Sequence, residues 1–418
     1  MVDTQSLSRR AFFKTLMAGG AAMALGACGG SSGAAPAASS SALPPSKPAA
    51  SPSAPPQPAA NASAPAKPAA SPAGWDELVK AAQQEGTVVL SAVNGDVYRD
   101  GLATAFESAY PGIKVQATFA PVFDQVPKLL AEQKAGKYLT DVFVNGSGPS
   151  VITLKPAGAV APLKPALLLP EVLDTSAWLE NRLWWADAAE PLTTLSFEGS
   201  VNSPLAYNTN QVDPKQFTSY LDFLKPEWQG KLCATDIRKP GPGGVTARFI
   251  YKSTQLGPSY LERLFHEAKP TLSSDQRQLI DWLATGTYPV GLFLSFTEVG
   301  RATSQGLPVS MVAGEQFKEG VPIGPGPGTV NLVAQAPHPN AAKLYINWLL
   351  SKQGQMAWQE KTHETSLRID ISKPKDLLPF TVPDPTKTYV DGSTEDFAGV
   401  GANLIAAAVD KGVQEAKA

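Results

Sequence analysis

The sequence predicts an α/β protein built as two lobes. Three observations carry that reading. From Trp75 onward, short apolar runs bounded by turn residues alternate with segments of helical periodicity. That is the pattern of strand–helix–strand units feeding parallel sheets covered on both faces. The pattern breaks off and restarts near Leu205. Residues 75–418 also outrun one hydrophobic core, which stops growing at roughly 250–300 residues.

Residues 1–28 read as an export signal. Ser8-Arg9-Arg10-Ala11-Phe12-Phe13-Lys14 has the twin-arginine pattern, followed by a short apolar run. Residues 15–27 include Gly19, Gly20 and Gly26 and fall short of the roughly 20 apolar residues that a bilayer core requires. Leu25-Gly26-Ala27-Cys28 resembles a bacterial lipobox, so Cys28 is expected as the lipidated first residue of an exported, membrane-anchored protein. Residues 29–74 are almost entirely Ala, Pro and Ser, with Lys47 and Lys67 as their charges. Such a chain buries too little to offset its ordering entropy. At about 3.1 Å per residue in a proline-rich extended form, it is a tether with a reach on the order of 100 Å.

The folded part opens with a helix, since Trp75, Leu78, Val79 and Ala82 recur at helical spacing before Gly86. Residues 87–93 form a buried strand that ends at Asn94-Gly95. A helix is expected over 98–109, closed by Pro111-Gly112, then a strand over 113–119, a helix over 123–134 and a short strand over 141–144. After the restart, Leu205-Ala206-Tyr207-Asn208 reads as a strand end and 231–235 as a strand. Helices are expected over 257–268 and 275–284, a strand over 288–294, and a helix from Glu298. Residues 339–350 give the clearest helix, with Ala341, Leu344, Tyr345, Trp348 and Leu349 on one face. From Lys373 a Pro- and Asp-rich stretch wraps the surface before a closing helix over 397–413.

In open parallel sheets, ligands sit in loops beyond the carboxyl ends of the strands. That rule selects Asn94-Gly95-Asp96, Asn145-Gly146-Ser147, the Asp236-Ile237-Arg238 loop through Gly243-Gly244, and Ser295-Phe296-Thr297. Arg238 precedes a Gly-Pro-Gly-Gly turn that opens a helix. A helix N-terminus offers unpaired N–H groups and partial positive charge, and an arginine beside it can clamp an oxyanion bidentately. Arg238 is therefore expected as an anion clamp.

Other chemistry is poorly supported. His266, His338 and His363 form no metal-ligand pair. His338 is expected as a turn or capping residue, and the other two as solvated. Gly29-Gly30-Ser31-Ser32-Gly33 copies a nucleophile-elbow pattern but lies in the tether without a strand or helix beside it. The prolines of Gly324-Pro325-Gly326-Pro327-Gly328 remove the donors a phosphate loop needs. Trp184-Trp185 is expected in the core rather than as a ligand wall. Lys and Arg number 35 against 37 Asp and Glu, a net charge of −2, which gives no basic surface for nucleic acid. Cys233 is the one cysteine after Cys28. It makes neither an internal disulfide nor a thiolate metal cage and is expected as a small buried residue. Neither enzymatic activity nor a cofactor is expected.

Several phrases occur together in a fixed order. They are Tyr207-Asn208-Thr209, then Leu224-Lys225-Pro226-Glu227-Trp228-Gln229-Gly230-Lys231-Leu232, then Asp236-Ile237-Arg238 with its glycines. Ala336-Pro337-His338-Pro339-Asn340-Ala341-Ala342-Lys343 follows, with Leu349-Leu350-Ser351-Lys352-Gln353-Gly354-Gln355 behind it. Over residues 75–365 this order resembles the extracellular solute-binding proteins of ABC importers, specifically their ferric-iron-binding-like branch. The resemblance implies a periplasmic-binding-protein type II fold, in which two α/β lobes are joined by two crossing segments and hold a ligand in the interlobe cleft. Lobe one would comprise 75–200 and 318–418, and lobe two 201–317. Hinge closure on a small-molecule solute would then present the protein, expected as a monomer, to an ABC permease.

The chain departs from that branch at one place. Ferric-binding members place two adjacent tyrosines after the strand that is here 288–294, and Phe296-Thr297 stand at those positions. Phe has no oxygen and Thr is a poor ferric ligand, so no metal site is expected. A small anionic solute such as a carboxylate, sulfonate or phosphonate is expected instead, held by Asn94, Asp96, Ser147, Tyr207, Arg238, Gly243, Gly244, Ser295, Phe296 and Thr297. The alternatives are a ligand-sensing clamshell that serves a signalling receptor, and an iron-binding member that uses non-tyrosine ligands.

Overall fold

The computed structural model describes residues 74–239 and 241–417. The expected signal peptide, its lipidated Cys28 and the tether as far as residue 73 lie outside the described residues. The strands are, in chain order, β1 (Thr87–Val93), β2 (Lys114–Ala120), β3 (Val142–Asn145), β4 (Trp184–Trp185), β5 (Leu195–Ser196), β6 (Ser200–Val201) and β7 (Leu205–Asn208). They continue with β8 (Leu232–Thr235), β9 (Thr271–Ser273), β10 (Val290–Leu292), β11 (Val309–Met311), β12 (Pro322–Gly324), β13 (Thr329–Leu332) and β14 (Val390–Asp391). Two main sheets result, in the orders β2-β1-β3-β13-β5-β4 and β11-β7-β10-β8-β9, with a small third sheet β14-β12-β6.

The inner strands β3, β8 and β10 are near-continuous apolar runs buried on both faces, whereas the edge strand β2 alternates exposed and half-buried residues. In the first main sheet, Val88, Leu90 and Ala92 of β1 enter a core built on Trp178, Trp184, Trp348 and Trp358. Phe143 of β3 points to the opposite face, among Val126, Leu129 and Leu154. In the second sheet, one face packs on Phe217, Tyr220, Phe223 and Phe249. The other packs on Leu279, Leu283 and Val299, with Cys233 among them. The sheets are mixed rather than wholly parallel as expected. The β1, β2 and β3 ladder and the β8, β9 and β10 ladder are parallel. Strand β13 runs antiparallel to β3 and β5, and β7 antiparallel to β10 and β11. These two strands enter from segments that pass between the sheets, so no helical crossover sets their direction.

The expected helices form with small changes. The 98–109 helix starts earlier, at Asp96, and contains a π turn over Asp100–Thr104. Pro339–Leu350 buries more than one face: Ile346, Asn347 and Leu350 are covered as well. Asn347 is tolerated there because its Oδ1 accepts from the Leu168 and Leu169 amides at 2.7 and 3.0 Å, which satisfies a buried polar group.

The C-terminal segment departs from the expected division. Residues 318–418 are expected in lobe one, yet Phe397, Val400, Ile405, Ala408 and Val409 pack in the core of the second sheet. Ile405, Ala408, Val409 and Gly412 share the inner face of helix Ala402–Glu415. A Cβ at Gly412 would overlap the Glu262 carbonyl, so glycine permits the close approach to helix Gly257–Arg263. Three segments rather than two therefore pass between the main sheets: one through β6, one through β12, and one after β14. Among the described residues, no helix is long and apolar enough to cross a membrane.

Candidate functional site

The three crossing segments flank a cleft whose walls come from both lobes. On the second-lobe side, β8 leads through the 236–243 loop into helix Gly244–Lys252. Gly243 caps that helix with φ 79°, a left-handed conformation that favours glycine. A Cβ there would also overlap Phe293, so two requirements select glycine at the point where the helix meets the cleft. Nearby, Ser295 caps helix Phe296–Ser304, its hydroxyl accepting from the Glu298 amide at 3.4 Å. On the first-lobe side lie the helical turn that starts at Ser147, the crossing residues Glu198 to Asn202, and the 324–328 loop.

The cleft has two adjoining chambers that share Val245 and Gly326. One, of about 240 Å³, is lined by Glu198, Ser200, Asn202, Gly241 to Val245, Leu294 to Phe296, and Gly324. The other, of about 260 Å³, is lined by Gly146 to Pro149, Arg248, Pro325, Gly392 and Ala398. Of the residues expected from sequence, Gly243, Gly244, Ser295 and Phe296 meet in the first chamber and Ser147 lines the second. Asn94 and Asp96 are exposed at the end of β1 and line neither. Tyr207 is half-buried in β7 against the second core, and Thr297 is exposed on the first turn of its helix; both miss the cleft.

Arg238 is a correction. Its Nε donates to Asp236 Oδ1 at 2.7 Å and one Nη to Asp236 Oδ2 at 2.8 Å. The other Nη donates to Asp410 Oδ1 at 2.9 Å, from helix Ala402–Glu415. These hydrogen bonds to two carboxylates raise its pKa further, and they hold the fork in a local pin between the loop and the C-terminal helix. It lines neither chamber.

The sequence reading missed the two charged groups that do face the cleft. Arg248 stands one turn into helix Gly244–Lys252. Its Nε donates to the Val400 carbonyl at 3.2 Å, and no carboxylate among the described residues comes within salt-bridge distance. Burial lowers its pKa, the signature of a cation short of compensating charge. Glu198 is 1% exposed; its carboxyl oxygens have no amide or hydroxyl partner of ordinary geometry among the described residues, and its hydrogen-bonding neighbour is the carboxyl of Glu364. The 324–328 loop crosses directly over it: a Cβ on Gly326 or Gly328 would overlap the Glu198 side chain. Burial first, and then the charge of Glu364, push the Glu198 carboxyl well above its ordinary range. Burial also raises Glu364, whose carboxylate accepts from the Tyr98 hydroxyl at 3.4 Å.

Among the described residues, no group of three or more His, Cys, Asp or Glu side chains stands together as a metal cage. His338 is a turn residue, as expected, with its ring and amide bonded to Asp141 at 2.8 and 2.7 Å. His266, expected in solvent, is half-buried with a partnerless Nδ1. The indole of Trp184 is in the first core, as expected. Burial pushes the Cys233 thiol up to about 12, so it is a packing residue rather than a nucleophile. A further apolar groove of about 330 Å³ lies beside the second chamber, with Phe123 and Ile152 exposed on it.

Two α/β lobes with a cleft at the crossing segments define a clamshell binding protein. The sequence matches the bacterial extracellular solute-binding protein family over residues 66–356, and the chain belongs to that family. A comparison with curated protein sequences finds no match. Solved structures share the fold. One is the periplasmic binding protein AfuA from Actinobacillus pleuropneumoniae with fructose-6-phosphate bound, at 17% identity and TM-score 0.55, over 80% of this chain and 99% of that one. Another is iron-bound HitA from Pseudomonas aeruginosa, at 18% identity and TM-score 0.53, over 78% and 98%. A third is an extracellular solute-binding protein from Bordetella parapertussis, at 14% identity and TM-score 0.61, over 78% and 99%.

Proposed function

We propose that this chain is the solute-capturing component of an ABC importer. It takes a small anionic solute into the cleft and delivers it to a membrane permease, held at the outer face of the membrane through Cys28. The observation that carries the anionic reading is Arg248. It is a half-buried cation without a carboxylate partner, standing beside the N-terminus of its own helix at the cleft. A Cβ built on Gly244 would lie 3.7 Å from its Nη1, so the guanidinium folds back to the first residue of its own helix. A fixed cation and unpaired N–H groups at a helix start favour negative charge. The expectation of an anion is thus kept with a different arginine. Ser147 and Ser295 add short polar side chains from opposite walls, so one bound molecule would bridge the lobes and favour the closed form.

The test is thermal unfolding of the full chain against carboxylates, sulfonates, phosphonates and ferric iron with and without carbonate. A ligand at about 100 times its Kd adds roughly 2.7 kcal/mol. A shift with an organic anion that Arg248→Met abolishes supports the reading. A shift with ferric iron alone contradicts it.

A further inference from the structure

The charge on the opposite wall of the cleft says more about the ligand. Resting on the capture reading above, we infer that the solute is a small zwitterion, whose ammonium group docks on Glu198 while its anionic group docks on Arg248. Glu198 is a buried carboxyl in the lining of the first chamber; it shares a hydrogen bond with the Glu364 carboxyl, and neither acid is in an ion pair with a Lys or Arg among the described residues. Buried acids are normally paired with a cation, and two carboxyls that share one site without one cost free energy until a positive group arrives. Gly326 and Gly328 leave room for this side chain where any Cβ would collide with it. Arg248 lines the adjoining chamber, and both chambers meet at Val245 and Gly326. A cleft with an unpaired acid on one wall and an unpaired cation on the other is complementary to a dipolar molecule. A simple anion would engage Arg248 and leave the Glu198 and Glu364 carboxyls without a cation.

Protonation sharpens the inference. The titratable groups around Glu198 are Glu364, Tyr98 beyond it, and His363 beside Glu364. Burial and the Glu364 charge favour the protonated form of Glu198 in the empty cleft. An incoming ammonium replaces that proton as the compensating charge, so binding releases a proton to solvent. A plain carboxylate or sulfonate meets a neutral Glu198 and releases none.

The experiment titrates the full chain by calorimetry with 4-aminobutanoate and 2-aminoethanesulfonate, and with butanoate, ethanesulfonate and butylamine as their single-charge halves. Buffers of different ionisation enthalpy report proton release. The expected result is binding of a zwitterion at least tenfold tighter than either of its halves, with close to one proton released. Glu198→Gln is expected to remove the advantage of the zwitterion over the anion and the proton release, while anion binding persists. An affinity ratio left untouched by Glu198→Gln, whatever the melting temperature of the empty variant, overturns the inference. Anions that bind as tightly as zwitterions also overturn it, and leave the capture reading standing. No binding by any of the five compounds counts against both.

Discussion

Arg238 and Arg248 stand on one segment, before and after the same glycine turn, and their surroundings differ in kind. Arg238 is held by Asp236 and Asp410 in three hydrogen bonds of 2.7 to 2.9 Å. Arg248 has a single backbone carbonyl and no carboxylate. The first has spent its fork on the protein, while the second keeps Nη donors beside the cleft. The comparison shows that proximity to a glycine-rich helix start does not make an arginine a ligand clamp. What decides is whether the fold has already neutralised it.

The largest effect that sharpens this contrast falls on the turn between the two arginines. Gly243→Ala meets a left-handed φ and an overlap with Phe293, at a cost of about 2–4 kcal/mol. Gly244→Ala has only an ordinary 3.7 Å neighbour and should leave stability nearly unchanged. Urea unfolding of the two variants checks this, and equal losses would break the argument. Next comes Arg248→Met, which should weaken binding of an organic anion by roughly 1.5–3 kcal/mol, ten- to hundredfold or more, with little change in the melting temperature of the empty protein. Calorimetry reads it directly.

Glu198 supplies a smaller effect with a definite sign. Burial raises its folded pKa well above the ordinary 4.5, so over that interval the folded state binds more protons than the unfolded one. Stability from this group is therefore present in acid and is lost as pH rises from about 4.5 through the raised value. Glu198→Gln should flatten that decline and raise the melting temperature of the empty protein at neutral pH. Melting curves from pH 4 to pH 8 check it, and an unchanged slope would remove Glu198 from the account. The smallest effect is on Arg238→Ala. Its pairs are partly exposed, so stability should move by no more than about 1 kcal/mol and ligand affinity by less than threefold.

Much of the fold was legible because its signals are local. The alternation in residues 87–145 and the strong periodicity of 339–350 specify elements by their own side chains. Strands β4, β5, β6 and β14 carry two residues each and exist through pairing with distant partners, so no periodicity announces them. The antiparallel entry of β7 and β13 has the same origin. The closing helix was visible from its apolar spacing, but its attachment to the second lobe depends on Gly412 meeting Glu262, a contact that spacing does not encode.

The site was half legible. Loops after strands do carry Ser147, Gly243, Gly244, Ser295 and Phe296 into the lining of the cleft. Asn94 and Asp96 line neither chamber, although β1 pairs in parallel with β3, whose end at Gly146 and Ser147 does. Glu198 escaped notice because its meaning comes from Gly326, Gly328 and Glu364, all distant in sequence. One signal was available: the Gly-Pro-Gly-Pro-Gly run asks for something that needs the space of missing side chains. Arg238 misled because Asp410 lies in a helix from the far end of the chain.

The most direct measurement is the affinity of one organic anion or zwitterion for three proteins: the unaltered chain, Arg248→Met and Arg238→Ala. The expected result is a loss of tenfold or more with Arg248→Met and near-native binding with Arg238→Ala. Native affinity in Arg248→Met together with lost affinity in Arg238→Ala would contradict the assignment of the cleft, and with it the account of what this protein captures.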